Sequence, residues 1–519
     1  MGSPTEAGGP RDYLAVDLGA SGGRVVVGRV VPEGGVHLGE LHRFGNGPVD
    51  VRGRLHWDVL GLWRELLGGL RAYRTWAEGA EAGVPLASVS VCTWGVDYAY
   101  LAADGGLLAP PGCYRDPRVD ASRAAMTERL AAAGLDAAAW YARTGVQPAD
   151  INTAPRLFAA DHRGDPRHRA AAVTLLMPDL FHYWLSGRCV AERTIASTTA
   201  LLDARTGEWS ARVLAALGIA PGLLPPVVPP GTDLGPIDGG VAAATGLPPA
   251  TRVVATGAHD TASAVVAVAG LAEGGAGEVA FVSSGTWSLV GVEAEAPALT
   301  EEARLAGITN EAGVGGRALV LRNLTGLWIL QECRRCWTDA DGPPPWDTLL
   351  REAAAAPPLA SLIDPEDAGF ARPGDMPAAV RAYCARTGQP EPPNRGAVAR
   401  CCLESLALAT RAALDALETV TARRLAYVCI VGGGSRNDLL NAFTANACAR
   451  PVTAGPAEAT AMGNVLAQAL AAGQLPDLAA ARRLAAAAEP TRRFRPAPAE
   501  AAAWATARER FGRLAAGDT

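Results

Sequence analysis

The chain contains no lysine, no long apolar run and few cysteines, and each shortage removes a class of function. Without lysine the phosphate-binding pattern GxxxxGK[ST] does not occur, so a nucleotide site has to rest on another kind of loop. Set beside abundant Ala, Gly, Pro and Arg, the shortage reflects a GC-rich genome and says nothing about function. No apolar stretch approaches the roughly 18 residues of a membrane helix, and the start, MGSPTEAGGPRDY, lacks a basic region followed by an apolar core. The expectation is a soluble, cytoplasmic chain with no membrane partner.

Ten cysteines in 519 residues are dilute. Cys92, Cys189 and Cys429 lie inside apolar runs, where a free cysteine behaves as a small hydrophobe. Cys333 and Cys336 form a CxxC, but no second pair stands at zinc-ribbon spacing, which argues against a metal or redox role. Cys384 and Cys401 flank a loop and are expected to remain thiols. The net charge of −6 gives no general attraction to nucleic acid, so small anionic substrates need specific local donors. Hydrophobic content of 49% makes the chain globular, and its length predicts two or three domains.

What is present begins with YLAVDLGASGGRVVVGRV, residues 13 to 30, which reads as strand, glycine-rich turn, strand. Such a turn presents backbone N–H groups to a phosphate, Arg24 adds charge, and Asp17 is placed to hold Mg²⁺ through water. An ordinary β-hairpin accounts for this stretch equally well. The second half repeats the idea at EVAFVSSGTWSLVGV, residues 278 to 292, again strand, small polar turn and strand. Two such turns suit the two ends of a polyphosphate.

The stretch VVATGAHDTASAVVAV, Val253 to Val268, places His259 and Asp260 just past a short β-branched run. The small residues from Thr261 onward start a helix, so Asp260 falls at a strand-to-helix turn beside free backbone N–H groups. That position suits proton abstraction, and it suits a helix cap too. In TWGVD, Gly95 admits a ligand close to the backbone while Trp94 and Asp97 offer a face and an acceptor; a packed strand end reads the same way.

Elsewhere, Trp57, Leu60, Trp63, Leu66, Leu67 and Leu70 fall at helical spacing, and Asp120 to Tyr141 is an alanine-rich helical stretch. The loop Tyr114-Arg115-Asp116-Pro117-Arg118 either rims a pocket or is simply solvated. LLMPDLFHYWLSG reads as a buried helix from Pro178 to Gly187 with His182 structural, and ERTIASTTALLD suits a polar ligand loop or a cap. PPVVPPG, Pro225 to Gly231, is the sharpest break and the preferred domain boundary. Residues 340 to 395 read as loop-rich, a long helix spans Asn394 to Thr421, and the strand Leu425 to Val431 runs into Gly432-Gly433-Gly434, where a flat base has room against bare backbone.

In this order DLGASGGR, TWGVD, YRDPR, LLMPDL, AHDTASAV, SSGTWSL, ITNE, RNLTGLWILQ and IVGGGSRNDLLN resemble the FGGY carbohydrate kinases, over nearly the whole chain. The resemblance implies an α/β, two-domain actin-like (ribonuclease H-like) sugar kinase fold with an interdomain catalytic cleft. It also implies ATP and Mg²⁺ as cofactors and a ketose as substrate; the oligomeric state, monomer or homodimer, stays open. Domains are expected at 11–248 and 249–475, with a peripheral helical tail at 476–519. By motif, Ala20, Ser21, Gly22, Gly23 and Arg24 correspond to the family's ATP-phosphate loop, with Gly22 where the family usually has a second serine. Gly95, His259, Asp260 and Thr261 correspond to sugar contacts, with Asp260 the proton acceptor. Thr286, Asn323, Gln331 and Gly433 correspond to the nucleotide site.

Overall fold

A run of seven consecutive buried residues from Asp12 to Leu18 needs cover on both faces and a neighbour on each side, the demands of a central strand. The computed structural model, which describes residues 9–31, 34–79, 83–116, 122–271 and 278–517, gives it both. Pro117 and Arg118 of the charged loop lie outside the described residues. The chain divides into two compact units: Met1–Glu273 with Glu293–Val320 and Ala459–Ala488, and Gly274–Val292 with Leu321–Glu458 and Glu489–Thr519.

In the first unit, β1 (Arg11–Gly19) turns through Ala20 and Ser21 into β2 (Gly22–Val31), which pairs antiparallel with β3 (Gly35–Gly45). On its other side β1 runs parallel to β4 (Leu86–Thr93), and β4 runs parallel to β6 (Arg252–Ala255), whose outer edge is covered by antiparallel β5 (Thr232–Pro236). The order is β5-β6-β4-β1-β2-β3. Helix Val59–Gly79 buries Leu62, Leu66, Leu70 and Tyr73 at the spacing of one face, while Leu60, expected on that face, is 63% exposed.

The second unit repeats the arrangement. β7 (Val279–Ser284) and β8 (Trp287–Ala294) form an antiparallel hairpin, β7 runs parallel to β10 (Tyr427–Val431), and β10 runs parallel to β11 (Val452–Ala454). With β9 (Ala318–Thr325) beside β8 and β12 (Arg492–Phe494) antiparallel to β11, the order of these six is β9-β8-β7-β10-β11-β12, and the short strand Thr309–Ala312 pairs outside β9 as the seventh. A meander followed by parallel strands in each unit is the ribonuclease H-like α/β pattern. The helix Arg395–Thr421 is capped by Asn394, whose side chain accepts from Ala397 N, and ends at Ala422 in the left-handed region.

Two local expectations are corrected. The stretch from 120 to 141 is two helices, Arg123–Ala132 and Ala137–Thr144, because Gly134 takes φ +65° and Asp136 caps the second by accepting from Ala139 N. The region 340 to 395 holds helices Trp346–Ala355 and Met376–Arg386, whose short apolar faces are diluted by alanine and proline. Cys384 and Cys401 are free thiols as expected, and every described cysteine is free. Past residue 476, helix Leu478–Ala488 buries Arg482 against Glu293 at 2.6 Å, and helix Ala501–Ala516 buries Trp504 and Phe511.

Candidate active site

Parallel strands end together, and in the first unit their C-terminal ends bring the charged residues of two separate motifs to one place. Asp17 stands near the end of β1, in register with Cys92 on β4. Thr93, the last residue of β4, bridges His259 just beyond β6, and Thr93 N donates to Ala258 O at 2.9 Å. Asp260 therefore enters its helix, Asp260–Val266, on the same edge as Asp17. The two carboxylates are close enough that Asp17 disfavours ionisation of Asp260.

Asp260 is the first helical residue rather than the cap. His259 holds the N-cap position with φ −77° and ψ 127°, and its side chain makes no capping bond. The Asp260 side chain keeps 32% of its surface exposed. Its Oδ1 accepts from the Thr261 hydroxyl at 3.3 Å and lies 3.3 Å from His259 Nε2. Burial raises its pKa and Asp17 adds to the rise, while the His259 ring opposes both.

His259 is buried between two acids, with Nδ1 2.9 Å from Glu311 Oε2 on the opposite side from Asp260. Burial disfavours the charged ring, yet Glu311, Asp260 and Glu192 together lift its pKa to about 9. The backbone of this turn is held by a second buried acid. Glu192 accepts from Ala258 N at 3.1 Å, from Thr194 N at 2.9 Å and from Ile195 N at 3.2 Å. Thr194 Oγ1, itself bonded to Glu192, accepts from His259 N at 3.1 Å. Burial pushes the Glu192 carboxyl up to about 7 against these donors. The hydroxyl-rich ERTIASTT segment thus caps its own short helix and braces the turn that carries Asp260.

The hairpin turn at Ala20 and Ser21 is accessible, with Gly22 half-buried and Gly23 buried. Arg24 sits opposite Asp17 across the hairpin and donates to its Oδ2 from Nε at 2.9 Å and from Nη2 at 2.6 Å. Neither donation falls on Oδ1. Among the described residues no group of three or more His, Cys, Asp or Glu side chains is gathered as a metal cage would require. A single hard-oxygen ligand such as Asp17 suits Mg²⁺, which keeps waters and takes substrate phosphates as its other ligands.

At TWGVD the geometry separates two roles. A Cβ on Gly95 would stand 3.2 Å from Thr198 Cγ2 and Oγ1, so the residue is small because another chain segment crosses it. Val96, β-branched, sits at φ +65°, a strained conformation that persists only where surroundings impose it. Its N–H donates to Thr198 Oγ1 at 3.2 Å. Of the two readings of TWGVD, the packed strand end holds for Asp97, which is fully buried and bonded to Trp57 Nε1, Trp94 Nε1 at 2.9 Å and the Arg156 guanidinium. Its acceptors are spent on protein donors. His182 is structural as expected: Nε2 accepts from Val91 N at 3.1 Å, and burial lowers its pKa to about 3.

In the second unit, Thr286 occupies the β7–β8 turn. Its hydroxyl donates to Gln331 Oε1 at 3.3 Å, and its carbonyl accepts from Gly326 N at 3.1 Å and Trp328 N at 3.3 Å. A Cβ on Gly326 would fall 2.5 Å from the Trp287 carbonyl carbon, which is why the turn packs only on glycine. Gly432 takes φ +82°, a Cβ on Gly434 would lie 2.0 Å from Ser284 Oγ, and Gly433 faces open space. Thr286 and Gln331 are thus in contact, Gly433 stands beside the end of β7, and Asn323 is exposed on β9. Sequence reasoning missed Glu192, Glu311 and Thr198 as members of this machinery. The available signal was a charged residue inside each of two otherwise apolar or hydroxyl-bearing short strands.

Family models match both halves of the chain: the N-terminal domain of the FGGY family of carbohydrate kinases over residues 13–267, and its C-terminal domain over residues 280–472. The molecule is a sugar kinase. The chain belongs to the FGGY family of carbohydrate kinases. It is 41% identical to a rhamnulokinase of Bacteroides thetaiotaomicron, covering 95% of this chain and 97% of that one. It is 36% identical to a rhamnulokinase of Enterococcus faecalis, with 94% and 95% covered. Among solved structures, a gluconate kinase of Lactobacillus acidophilus superposes with TM-score 0.77 at 16% identity, covering 98% of each chain. A xylulose kinase of Rhodospirillum rubrum gives 0.75 at 20% identity, with 98% and 99% covered. These likenesses establish the fold, and ATP is the phosphoryl donor that the kinase family implies. No helix among the described residues is long and apolar enough to cross a membrane.

Proposed function

We propose that this kinase transfers the γ-phosphoryl group of ATP to the 1-hydroxyl of L-rhamnulose in the cytoplasm, with Asp260 as the proton acceptor. The observation that carries the reading is the placement of Asp260: partly exposed, at the first turn of a helix, on the strand-end edge it shares with Asp17. The substrate class is supported by relatives named rhamnulokinase that are 41% and 36% identical over nearly their whole length.

Phosphoryl transfer through a loose transition state asks the protein for positioning and charge stabilisation more than for covalent chemistry. Asp260 accepts the sugar hydroxyl proton as that oxygen attacks the γ-phosphorus in line, an assistance typically worth about 10²- to 10⁴-fold. The N-terminus of the Asp260 helix and the amides of the Ala20–Gly23 turn offer partial positive charge to anionic oxygens. Asp17 would hold Mg²⁺ through water, and the ion would supply charge neutralisation on the phosphates. Arg24 fixes the Asp17 carboxylate from the other side. Gly95 and Thr261 line the sugar position, while Thr286, Gln331, Asn323 and Gly433 hold the nucleotide. Ala20, Ser21, Gly22 and Gly23 act through backbone donors, so the missing second serine at Gly22 costs no amide.

ADP release coupled to a reporter, with ATP and Mg²⁺ across L-rhamnulose, L-fuculose, L- and D-xylulose, L-ribulose and glycerol, tests the assignment. The account expects the highest kcat/KM on L-rhamnulose. Preference for another ketose would keep the chemistry and move the substrate. ATP binding with no sugar-dependent ADP would make the protein a sensor.

A further inference from the structure

Both ring nitrogens of His259 face carboxylates: Nδ1 faces Glu311 at 2.9 Å and Nε2 faces Asp260 at 3.3 Å. A neutral imidazole has one N–H, so in either tautomer a lone pair would point at an anion; only the doubly protonated ring suits both sides. Glu311 is buried on the short strand Thr309–Ala312, and neither its Oε2 nor His259 Nδ1 has an aligned hydrogen-bond partner. Each buried group has its charge balanced by the other. The strand is fixed to the brace of the Asp260 turn, since Ala312 N donates to Ser197 Oγ at 2.9 Å and Ser197 Oγ donates to Thr194 O at 2.6 Å.

We propose that Glu311 is a positioning residue for phosphoryl transfer: by keeping His259 an imidazolium, it anchors Asp260 Oδ1 and leaves the second carboxylate oxygen to accept the sugar proton. The charges facing the ring are Glu311, Asp260 and Glu192, with Asp17 beyond Asp260. Three of these acids favour the charged ring, and Glu311 is first among them. Without that cation, Asp260 would face the Asp17 charge uncompensated, and the base would lose its orientation and ionise less readily.

The inference rests on Asp260 as base, and its test separates the two claims. The ring resonances of His259, followed by NMR against pH in the resting protein, are expected to titrate near the raised value of about 9. In Glu311→Gln the midpoint is expected to fall by about two units, toward the ordinary histidine range. The alkaline limb of kcat is expected to move down with it, so that at pH 8 the variant loses about tenfold relative to its own rate at pH 6. Glu311→Asp, which keeps the charge, is expected to recover most of the wild-type profile, and it carries the test if the glutamine variant does not fold. A uniform loss of kcat at every pH with an unmoved His259 midpoint would overturn the proposal and leave Glu311 a packing residue. Failure of the underlying reading looks different: Asp260→Asn would retain sugar-dependent turnover whatever Glu311 does.

Discussion

Asp17 and Arg24 face each other across the first hairpin, and both guanidinium donations, at 2.9 and 2.6 Å, fall on the same carboxylate oxygen, Oδ2. The arrangement uses the arginine to aim an acid rather than to complete it. If the second oxygen serves Mg²⁺, then Asp17→Asn raises the Mg²⁺ concentration for half-maximal rate and lowers kcat by about 10²-fold, on the scale of losing one electrostatic stabiliser. The ketose KM stays within about twofold, because uniform substrate binding is not involved. A hairpin-only role would instead lower stability and leave the Mg²⁺ dependence unchanged.

Asp97 is a structural acid. With Arg156 buried against it, removing the carboxylate leaves a buried guanidinium unpaired, a loss of about 3–5 kcal/mol. Asp97→Asn is therefore expected to unfold at markedly lower denaturant concentration, and Arg156→Met in the same chain to recover a large part of the loss. Additive losses in that double-mutant cycle would contradict the pairing.

Gly463 sets the position of the Asp260 helix. A Cβ there would come 1.7 Å from Ser263 O, so helix Ala459–Ala471 must withdraw or Asp260–Val266 must shift. Gly463→Ala is expected to destabilise by about 1–3 kcal/mol, the usual range for overpacking, and to reduce kcat more than it raises either KM. Wild-type turnover in a folded variant would show that the helix position is not critical.

Much of this was legible along the chain because it is local. Two hairpins with glycine turns, the strand that delivers Asp260, and the long helix capped by Asn394 each follow from neighbouring residues. What could not be read is long-range pairing. Nothing near Asp97 announces Arg156, 59 positions away, so neighbouring residues alone leave a ligand acceptor and a packed strand end equally open. Glu311 and Glu192 reach His259 and Ala258 from strands that only tertiary structure brings together. The helices between 340 and 395 were hidden because alanine and proline weaken their periodicity, and packing by Leu349, Val380 and Tyr383 supplies what the pattern lacks.

The most direct test of the account is Asp260→Asn, with sugar-dependent ADP release and ATP binding measured by calorimetry on the same preparation. The account predicts that kcat falls by about 10²-fold or more, the contribution of general-base assistance, while the ATP dissociation constant stays within about threefold. Retained sugar phosphorylation, or loss of ATP binding in step with loss of turnover, would contradict Asp260 as the proton acceptor.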